Sequence, residues 1–498
     1  MADDNKLLIG GNGSQTVYMD ASMANRHGMV AGATGTGKTV TLQILAENFS
    51  KAGVPVFLAD VKGDVSGVGK EAKPHPKVDE RIETIGIPDY KASPSPVVFW
   101  DIFGEKGHPI RTTVSEIGPL LLSNLLELND TQTGILYSCF KIADDQGFLI
   151  LDLKDLRSML IWMGDNRAEL KSEYGNISTA SIGAIQRGLI VLEEQGSEFF
   201  LGEPAIELRD LMSLDFSGRG VINILDANTL LQRSPKLYST FLLWLLSELF
   251  ETLPEVGDAD KPKFVMFFDE AHLLFNDAPK VLIEKIEQVV RLIRSKGVGI
   301  YFISQSPLDI PEEILGQLGL KVQHALRAFT PKDQKAVKTV AETFRSNPNL
   351  DTKDVITQLG VGEALVSTLD EEGVPTQVER ILIRPPESRI GPMNDKERAE
   401  QIDRSPYRNR YDQVLDRESA YEVLAQRAEN IAAKEEQLAK EEAIREAQEE
   451  QSKSSSKSRR RSNRQTPTEA FVKSAARAIG SQLGRKVIRG LLGSLFRG

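Results

Sequence analysis

The chain has 498 residues, of which 40% are apolar and 27% charged, so it can hold two or three domains with at least one large core. Its single cysteine, Cys139, excludes an intramolecular disulfide and fits a reducing compartment. The first residues lack the pattern of a signal peptide, and the most apolar run, residues 241–250, is too short to span a membrane. We therefore expect a cytoplasmic, globular protein.

The net charge of −10 is unevenly distributed along the chain. Residues 452–498 contain 12 lysines and arginines and one acidic residue, Glu469, so this segment carries +11. The rest of the chain carries −21. This asymmetry predicts an acidic body with a basic arm.

The first 75 residues predict a strand, a helix and a second strand. The apolar residues 29–31 form the first strand, and residues 38–53 have the pattern of an amphipathic helix that ends at Gly53. Residues 54–60 are almost continuously apolar, which is typical of a strand buried on both faces of a parallel sheet. The three elements predict a strand, crossover and strand unit.

The central part of the chain continues this alternation after a helical interruption. Residues of about 114–212 have helical patterns without a clear strand, and we interpret them as a helical insertion. Further strands are predicted within residues 220–227, 263–272, 297–307, 320–329 and 362–368, with helices between the first three. Strands that alternate with helices over residues 1–390 predict an α/β fold with a mainly parallel sheet.

After residue 390 the composition changes, and residues 391–451 form a charged helical extension. Within it, residues 416–451 are rich in Glu, Ala, Lys and Gln and contain no glycine or proline. Leu424, Ile431 and Leu438 repeat every seven residues, but the other seam positions soon become polar. A long solvated helix is therefore favoured over a stable coiled coil.

The basic arm consists of two parts. Residues 452–465 have the composition of a flexible basic linker. Residues 466–498 begin with Thr466, Pro467 and Glu469, which is typical of a helix start, and continue as a basic amphipathic helix. This helix could pack on the protein itself, contact a membrane surface or a protein partner, or bind nucleic acid.

The first functional motif lies between the first predicted strand and helix. Gly32, Gly37, Lys38 and Thr39 match the phosphate-loop pattern G-x-x-x-x-G-K-[ST]. Glycines allow the backbone conformations in which successive N–H groups surround phosphate oxygens, and the helix that follows points its positive end at the same place. Lys38 would reach the β- and γ-phosphates, and the Thr39 hydroxyl would bind Mg²⁺. The predicted nucleotide contacts are Gly32, Ala33, Thr34, Gly35, Thr36, Gly37, Lys38, Thr39 and Val40.

The second motif is an acid pair, Asp269 and Glu270, directly after the predicted strand 263–268. In an open α/β sheet, the carboxyl ends of parallel strands lie at the same edge as the phosphate loop. Asp269 can hold the water shell of Mg²⁺, and Glu270 can polarise the attacking water. The alternative is an acid pair that caps a helix. We interpret His272 as structural.

A third group of polar residues surrounds the strand of residues 297–304. Gln305 ends this strand and could contact the γ-phosphate or the attacking water, although it could also form an ordinary strand-end hydrogen bond. Arg294 and Arg291 lie on the preceding helix, where either could reach a neighbouring subunit's γ-phosphate and stabilise transition-state charge. Either arginine could equally form a surface ion pair.

Two further aspartates follow the second strand. Asp60 and Asp64 could orient water or Mg²⁺, or they could serve as turn residues, as Gly63 between them suggests. The N-K-x-D signature for guanine is absent, so ATP is favoured over GTP.

Four segments in this order resemble the HerA-like branch of the HerA/FtsK P-loop ATPases, and most closely its stand-alone bacterial members: residues 26–43, 56–64, 264–275 and 297–307. The resemblance implies a RecA-like ATPase core over residues 1–390, which assembles into a hexameric ring with ATP between subunits. Lys38, Thr39, Asp269, Glu270 and Gln305 occupy the family's motif positions. Arg294 falls near its trans-acting arginine, and Asp60, Gly63 and Asp64 match its motif D-x-x-G-[DE].

The resemblance has one limit. Archaeal HerA carries a β-barrel domain before the ATPase, which helps to recruit a nuclease, whereas here the phosphate loop begins at residue 32. Nuclease partnership is therefore not implied.

Two functions follow from these observations. The first is Mg²⁺-dependent ATP hydrolysis coupled to translocation or unwinding of double-stranded DNA, as in relatives of this family. The charge of −21 opposes DNA binding by the body, but the +11 arm could hold DNA. The second is an ATPase that does not act on DNA and docks to a membrane surface or a protein partner through residues 466–498.

Overall fold

The computed structural model describes residues 5–455, except 258, 277–279 and 329. It contains two compact units, Met1–Arg417 and Glu418–Gly498. The strands of the first unit are β1 (Lys6–Gly11), β2 (Thr16–Asp20), β3 (Gly28–Ala31), β4 (Val56–Asp60), β5 (Val97–Asp101), β6 (His108–Pro109), β7 (Ile222–Asp226), β8 (Phe264–Phe268), β9 (Val298–Ser304), β10 (Leu320–Gln323), β11 (Glu363–Ser367) and β12 (Glu379–Ile383).

The helices up to β8 are α1 (Lys38–Lys51), α2 (Pro76–Ile85), α3 (Val114–Leu125), α4 (Asp130–Gln146), α5 (Leu153–Asp165), α6 (Arg167–Tyr174), α7 (Thr179–Glu194), α8 (Ser197–Phe200), α9 (Leu208–Leu211), α10 (Asn228–Arg233) and α11 (Pro235–Thr252). After β8 follow α12 (His272–Phe275), α13 (Lys280–Ile293), α14 (Glu312–Leu315), α15 (Pro331–Glu342), α16 (Thr352–Gln358), α17 (Asp395–Asp403) and α18 (Ala420–Ser455).

All of these strands belong to one sheet with the order β2-β1-β12-β11-β10-β3-β9-β8-β4-β7-β5-β6. The eight strands from β10 to β6 run parallel to one another. This confirms the prediction of an α/β fold with a mainly parallel sheet. The other edge is antiparallel, and its strands β1, β2 and β12 were not predicted, because short strands at an edge give a weak sequence signal.

The central strands are buried on both faces, which explains their continuous apolar sequences. On one face, α1 inserts Phe49 between the sheet residues Tyr301 and Phe267, at ring distances of 5.5 and 6.2 Å. On the other face, Phe241 of α11 packs on Phe57 at 6.2 Å. Burying one such aromatic side chain contributes about 2–3 kcal/mol, so these layers hold the loops at the sheet edge in place.

Residues 114–212, which we expect to be a helical insertion, contain α3 to α9 between β6 and β7. In the second unit, α18 runs over 36 residues and confirms the predicted long helix. It includes residues 452–455, which belong to the segment we expect to be a linker, and Ile431 and Leu438 on it are exposed. The predicted amphipathic helix of residues 466–498 lies outside the described residues. No helix in the described part of the chain combines the length and hydropathy needed to cross a membrane.

Candidate active site at the carboxyl edge of the sheet

The phosphate-loop motif forms the connection between β3 and α1. Gly32, Gly35 and Gly37 have φ angles of 153°, 78° and 115°, which residues with side chains rarely adopt. A Cβ atom on Gly32 would also lie 2.5 Å from the Cβ atom of His324. The backbone conformation therefore requires glycine at these positions, as expected for a loop that directs N–H groups towards a phosphate.

Lys38 lies folded across this loop. Its ammonium group donates hydrogen bonds to the carbonyl oxygens of Gly32 at 2.6 Å and Ala33 at 3.1 Å, and the residue is only 6% exposed. Burial, followed by repulsion from Lys62, lowers the pKa of Lys38. A buried cation held only by carbonyl oxygens provides a favourable place for an anion such as a phosphate.

The loop is attached to three strand ends. The N–H of Gly32 donates to Ser304 at 3.3 Å, the N–H of Ala33 donates to Ala325 at 2.9 Å, and the carbonyl oxygen of Thr36 accepts from Gly362 at 2.9 Å. These partners lie at the last residue of β9, just after β10 and just before β11. The loop is therefore fixed before any ligand arrives.

His324 is a buried clamp beneath the loop. Its Nδ1 donates to the carbonyl oxygen of Glu363 at 2.9 Å, and its Nε2 accepts from the Thr41 hydroxyl at 2.8 Å. Burial lowers the pKa of His324 to about 4, so the imidazole is neutral at physiological pH. The clamp connects α1 to β11, which are separated by more than 300 residues in sequence.

The acid pair follows β8, which lies between β9 and β4 in the sheet. Asp269 accepts a hydrogen bond from the N–H of Glu270 at 2.9 Å. Burial, together with the nearby charges of Glu270 and Asp60, raises the pKa of Asp269 to about 7, although Lys62 opposes this. The crowding of negative charge predicts that a cation is favourable here.

Glu270 has a strained backbone and an incompletely satisfied carboxylate. Its φ angle is 47°, which is uncommon for a residue with a side chain. Oε1 lies 2.7 Å from the Lys62 ammonium group, whereas Oε2 is buried without a hydrogen bond, and the Nδ1 atom of His272 lies 3.4 Å from it. Burial raises the pKa of Glu270, but the bond from Lys62 and the surrounding positive charges outweigh burial and lower it.

Asp60 and Asp64 take different positions. Both Asp60 oxygens accept backbone hydrogen bonds, from Gly63 at 2.7 Å and Val65 at 3.2 Å, and burial raises the pKa of Asp60 to about 6. This arrangement supports the turn interpretation for Asp60. Asp64 instead accepts from the Thr39 hydroxyl at 3.2 Å, and its other oxygen is buried without a hydrogen bond.

Some of these oxygens fit what Mg²⁺ requires when it binds together with a nucleotide. No cluster of three or more His, Cys, Asp or Glu residues that could hold a metal occurs in the described part of the chain. Mg²⁺ bound with a nucleotide needs only one or two protein oxygens, because phosphates and waters supply the rest. Thr39, Asp269 and the unpaired oxygen of Asp64 fit this requirement.

Gln305 and the two arginines lie at different ends of β9. Gln305 directly follows β9 and is exposed at the same edge as the loop and the acid pair. Arg291 and Arg294 are exposed and precede β9, so they lie at the opposite edge of the sheet. The fold thus brings Gln305 to the candidate site but keeps both arginines away from the site of their own chain.

Three residues of this site were not identified from the sequence. Lys62 lies in the segment D-V-K-G-D, where it resembles a solvated turn residue. His324 and Gly362 approach the loop from distant parts of the chain, and only the β10 and β11 pairings reveal them.

Comparison with known proteins supports the same family. A family model described as helicase HerA-like C-terminal matches residues 5–498. The DNA double-strand break repair helicase HerA of Sulfolobus acidocaldarius is 22% identical over 379 residues, which are 72% of this chain and 65% of that protein. The protein of the same name from Saccharolobus solfataricus is 21% identical over 375 residues, 72% of this chain and 64% of that one. This chain thus spans just under two thirds of the length of these relatives.

Two solved structures of the conjugative coupling protein TrwB share the fold. One is a complex with the non-hydrolysable GTP analogue GDPNP, with a TM-score of 0.50 at 14% identity over 76% of this chain and 89% of that chain. The other is a complex with sulphate, with a TM-score of 0.50 at 15% identity over 77% of this chain and 92% of that chain. The family match over residues 5–498 confirms the resemblance found in the sequence, and the chain belongs to the helicase HerA-like C-terminal family.

Proposed function

We propose that this chain hydrolyses ATP with Mg²⁺ in a hexameric ring that acts on double-stranded DNA. One observation carries the proposal: the phosphate loop, the acid pair and Gln305 meet where β3, β8 and β9 end, in a sheet whose neighbouring strands lie in register. Relatives named as DNA repair helicases support the link to DNA.

The site holds the nucleotide through its phosphates. The N–H groups of residues 34–39 and the start of α1 surround the β-phosphate. The Lys38 ammonium group exchanges its bonds to carbonyl oxygens for bonds to the β- and γ-phosphates. Thr39, Asp269 and Asp64 would hold Mg²⁺ or its waters, and the bound metal would offset the negative charge of the phosphates.

Hydrolysis needs a water molecule opposite the leaving ADP. The water oxygen forms a bond to the γ-phosphorus while the bond between that phosphorus and the bridging oxygen breaks, and ADP leaves with the electron pair. Glu270 accepts the proton of the water, since its carboxylate follows β8 at the same edge of the sheet as the phosphate loop. Gln305 orients the water or the γ-phosphate from the end of β9.

The ring explains how the arginines could take part. Arg294 and Arg291 lie at the edge of the sheet opposite the loop, so in this proposal they act on the nucleotide of a neighbouring subunit. Such an arginine contributes about 10³- to 10⁵-fold in rate in known phosphoryl-transfer enzymes. The alternative of a docking ATPase depends on residues 466–498, and none of the described residues favours it.

The test is ATPase activity with and without duplex DNA, together with the mass of the assembly in solution. We expect DNA to stimulate hydrolysis several-fold and increasing salt to remove the stimulation steeply. Lys38→Ala should abolish nucleotide binding and turnover. Glu270→Gln should retain ATP binding and lower kcat by about 10²- to 10⁴-fold. Turnover that survives in both variants would refute the assignment.

A further inference from the structure

Lys62 lies in a rigid turn beside the acid pair. It follows β4, which pairs in parallel with β8, so the residues after these two strands are neighbours. The Asp60 carboxylate accepts the N–H groups of Gly63 and Val65, and Gly63 adopts a φ angle of 74°. The backbone of the turn is therefore fixed, and only the Lys62 side chain is free to change its direction.

In the structure, this side chain is directed at Glu270. The distance from the Lys62 ammonium nitrogen to Oε1 of Glu270 is 2.7 Å. The Lys62 side chain is 40% exposed, whereas that of Glu270 is only 10% exposed. The Glu270 backbone is held by the N–H of Ala271, which donates to Ile303 at 2.8 Å. The lysine is thus the mobile partner, and the glutamate is the fixed one.

The pair is poorly suited to a purely structural role. Ion pairs with a partly exposed partner contribute about 0–1 kcal/mol to stability. The pair also leaves Oε2 of Glu270 buried without a hydrogen bond, which is an unfavourable arrangement. A carboxylate held by a lysine on one oxygen is also badly placed to accept a proton from water.

The charges around Lys62 show where its ammonium group can go. Asp64, Asp269 and Glu270 all attract it, and Lys38 repels it across the space beneath the loop. The proposed γ-phosphate would lie among these groups, because Lys38, Lys62 and the acid pair are close enough for each to alter the pKa of another. A terminal phosphate brings several charged oxygens to this position and competes with Glu270 for Lys62.

We propose that Lys62 holds Glu270 before ATP binds and moves to the terminal phosphate of bound ATP. Glu270 is then free to accept the proton of the attacking water. After hydrolysis and phosphate release, ADP offers no terminal phosphate, and Lys62 returns to Glu270. The inference rests on the proposed ATP hydrolysis and adds a way in which the site distinguishes bound ATP from bound ADP.

The variant Lys62→Met removes the cation and retains a side chain of similar length. We expect it to weaken binding of the non-hydrolysable ATP analogue AMP-PNP about tenfold, while the affinity for ADP changes less than about twofold. Its kcat should fall at least about tenfold. Lys62→Arg should restore part of both effects because it retains the charge. The exposed Lys77 provides the control, and Lys77→Met should match the wild type.

A double variant tests whether the active position of Lys62 is on the phosphate and not on Glu270. If it is, Lys62→Met should lower kcat by a similar factor in a Glu270→Gln background, because the two residues then contribute through separate contacts. Thermal melting shows whether each variant is folded. If Lys62→Met is misfolded, the folded Lys62→Arg variant is used for the test. Equal loss of ADP and AMP-PNP affinity, or an unchanged kcat in Lys62→Met, would overturn the inference. The proposed function fails differently, because the wild type would then show no hydrolysis.

Discussion

Replacing His324 with leucine should destabilise the protein at neutral pH, and the destabilisation should shrink in acid. The buried imidazole donates to the carbonyl oxygen of Glu363 and accepts from the Thr41 hydroxyl. Leucine removes both hydrogen bonds and leaves a buried carbonyl oxygen without this donor. At pH 7.5 we therefore expect a loss of about 1–3 kcal/mol in the free energy of unfolding.

The pH dependence follows from the buried imidazole. Burial lowers the pKa of His324 from 6.5 to about 4 in the folded state. Below pH 6.5 the unfolded chain therefore binds a proton that the folded protein excludes, so stability is lost as the pH falls from 6.5 towards 4. At about 1.4 kcal/mol per pH unit, the wild type loses about 2 kcal/mol through His324 by pH 5. The leucine variant lacks this loss.

The measurement is urea unfolding of the full chain, followed by circular dichroism, at pH 7.5 and pH 5. The difference in unfolding free energy between wild type and His324→Leu should fall by about 2 kcal/mol between the two conditions. A difference that stays constant or grows in acid would refute the neutral, buried clamp.

Three further predictions concern the same unit. Asp269→Asn should raise the melting temperature of the protein without nucleotide at pH 8, because burial raises the pKa of Asp269 to about 7 and the folded state therefore disfavours its ionised form. The same variant should no longer be stabilised by Mg²⁺ with ADP, and differential scanning fluorimetry measures both effects. Gly37→Ala should weaken ADP binding at least about tenfold in a fluorescent-ADP titration, because φ is 115° there. Arg384→Met should lower the free energy of unfolding in urea by about 3–5 kcal/mol, because it leaves Glu47 buried without its cation.

The parts of the site that the sequence predicted depend on local geometry. The phosphate loop needs only one strand, one turn and one helix. The spacing of Gly32, Gly37 and Lys38 is therefore enough to predict its conformation. The positions of Asp269 and Gln305 required one more step, namely that parallel strands end at the same edge. The structure has β8 and β9 as direct neighbours, which makes that step valid here.

The parts that the sequence did not predict depend on pairing between distant segments. His324 and Gly362 contact the loop only because β10 lies between β3 and β11. The antiparallel strands β1, β2 and β12 extend the sheet at an edge, where short strands carry little periodicity. Lys62 was missed for another reason, since a lysine in a turn is usually solvated and its partner Glu270 lies more than 200 residues away.

The balance of charge at the edge of the sheet indicates why nucleotide and metal should bind together. Lys38 and Lys62 face Asp64, Asp269 and Glu270 within one space, and each group alters the pKa of others. A polyphosphate alone would be repelled by the carboxylates, and Mg²⁺ alone would be repelled by the lysines. Together they neutralise each other's field, so each should raise the affinity for the other. This mutual dependence requires both lysines to lie near the terminal phosphate, which is the arrangement that the Lys62 variants test.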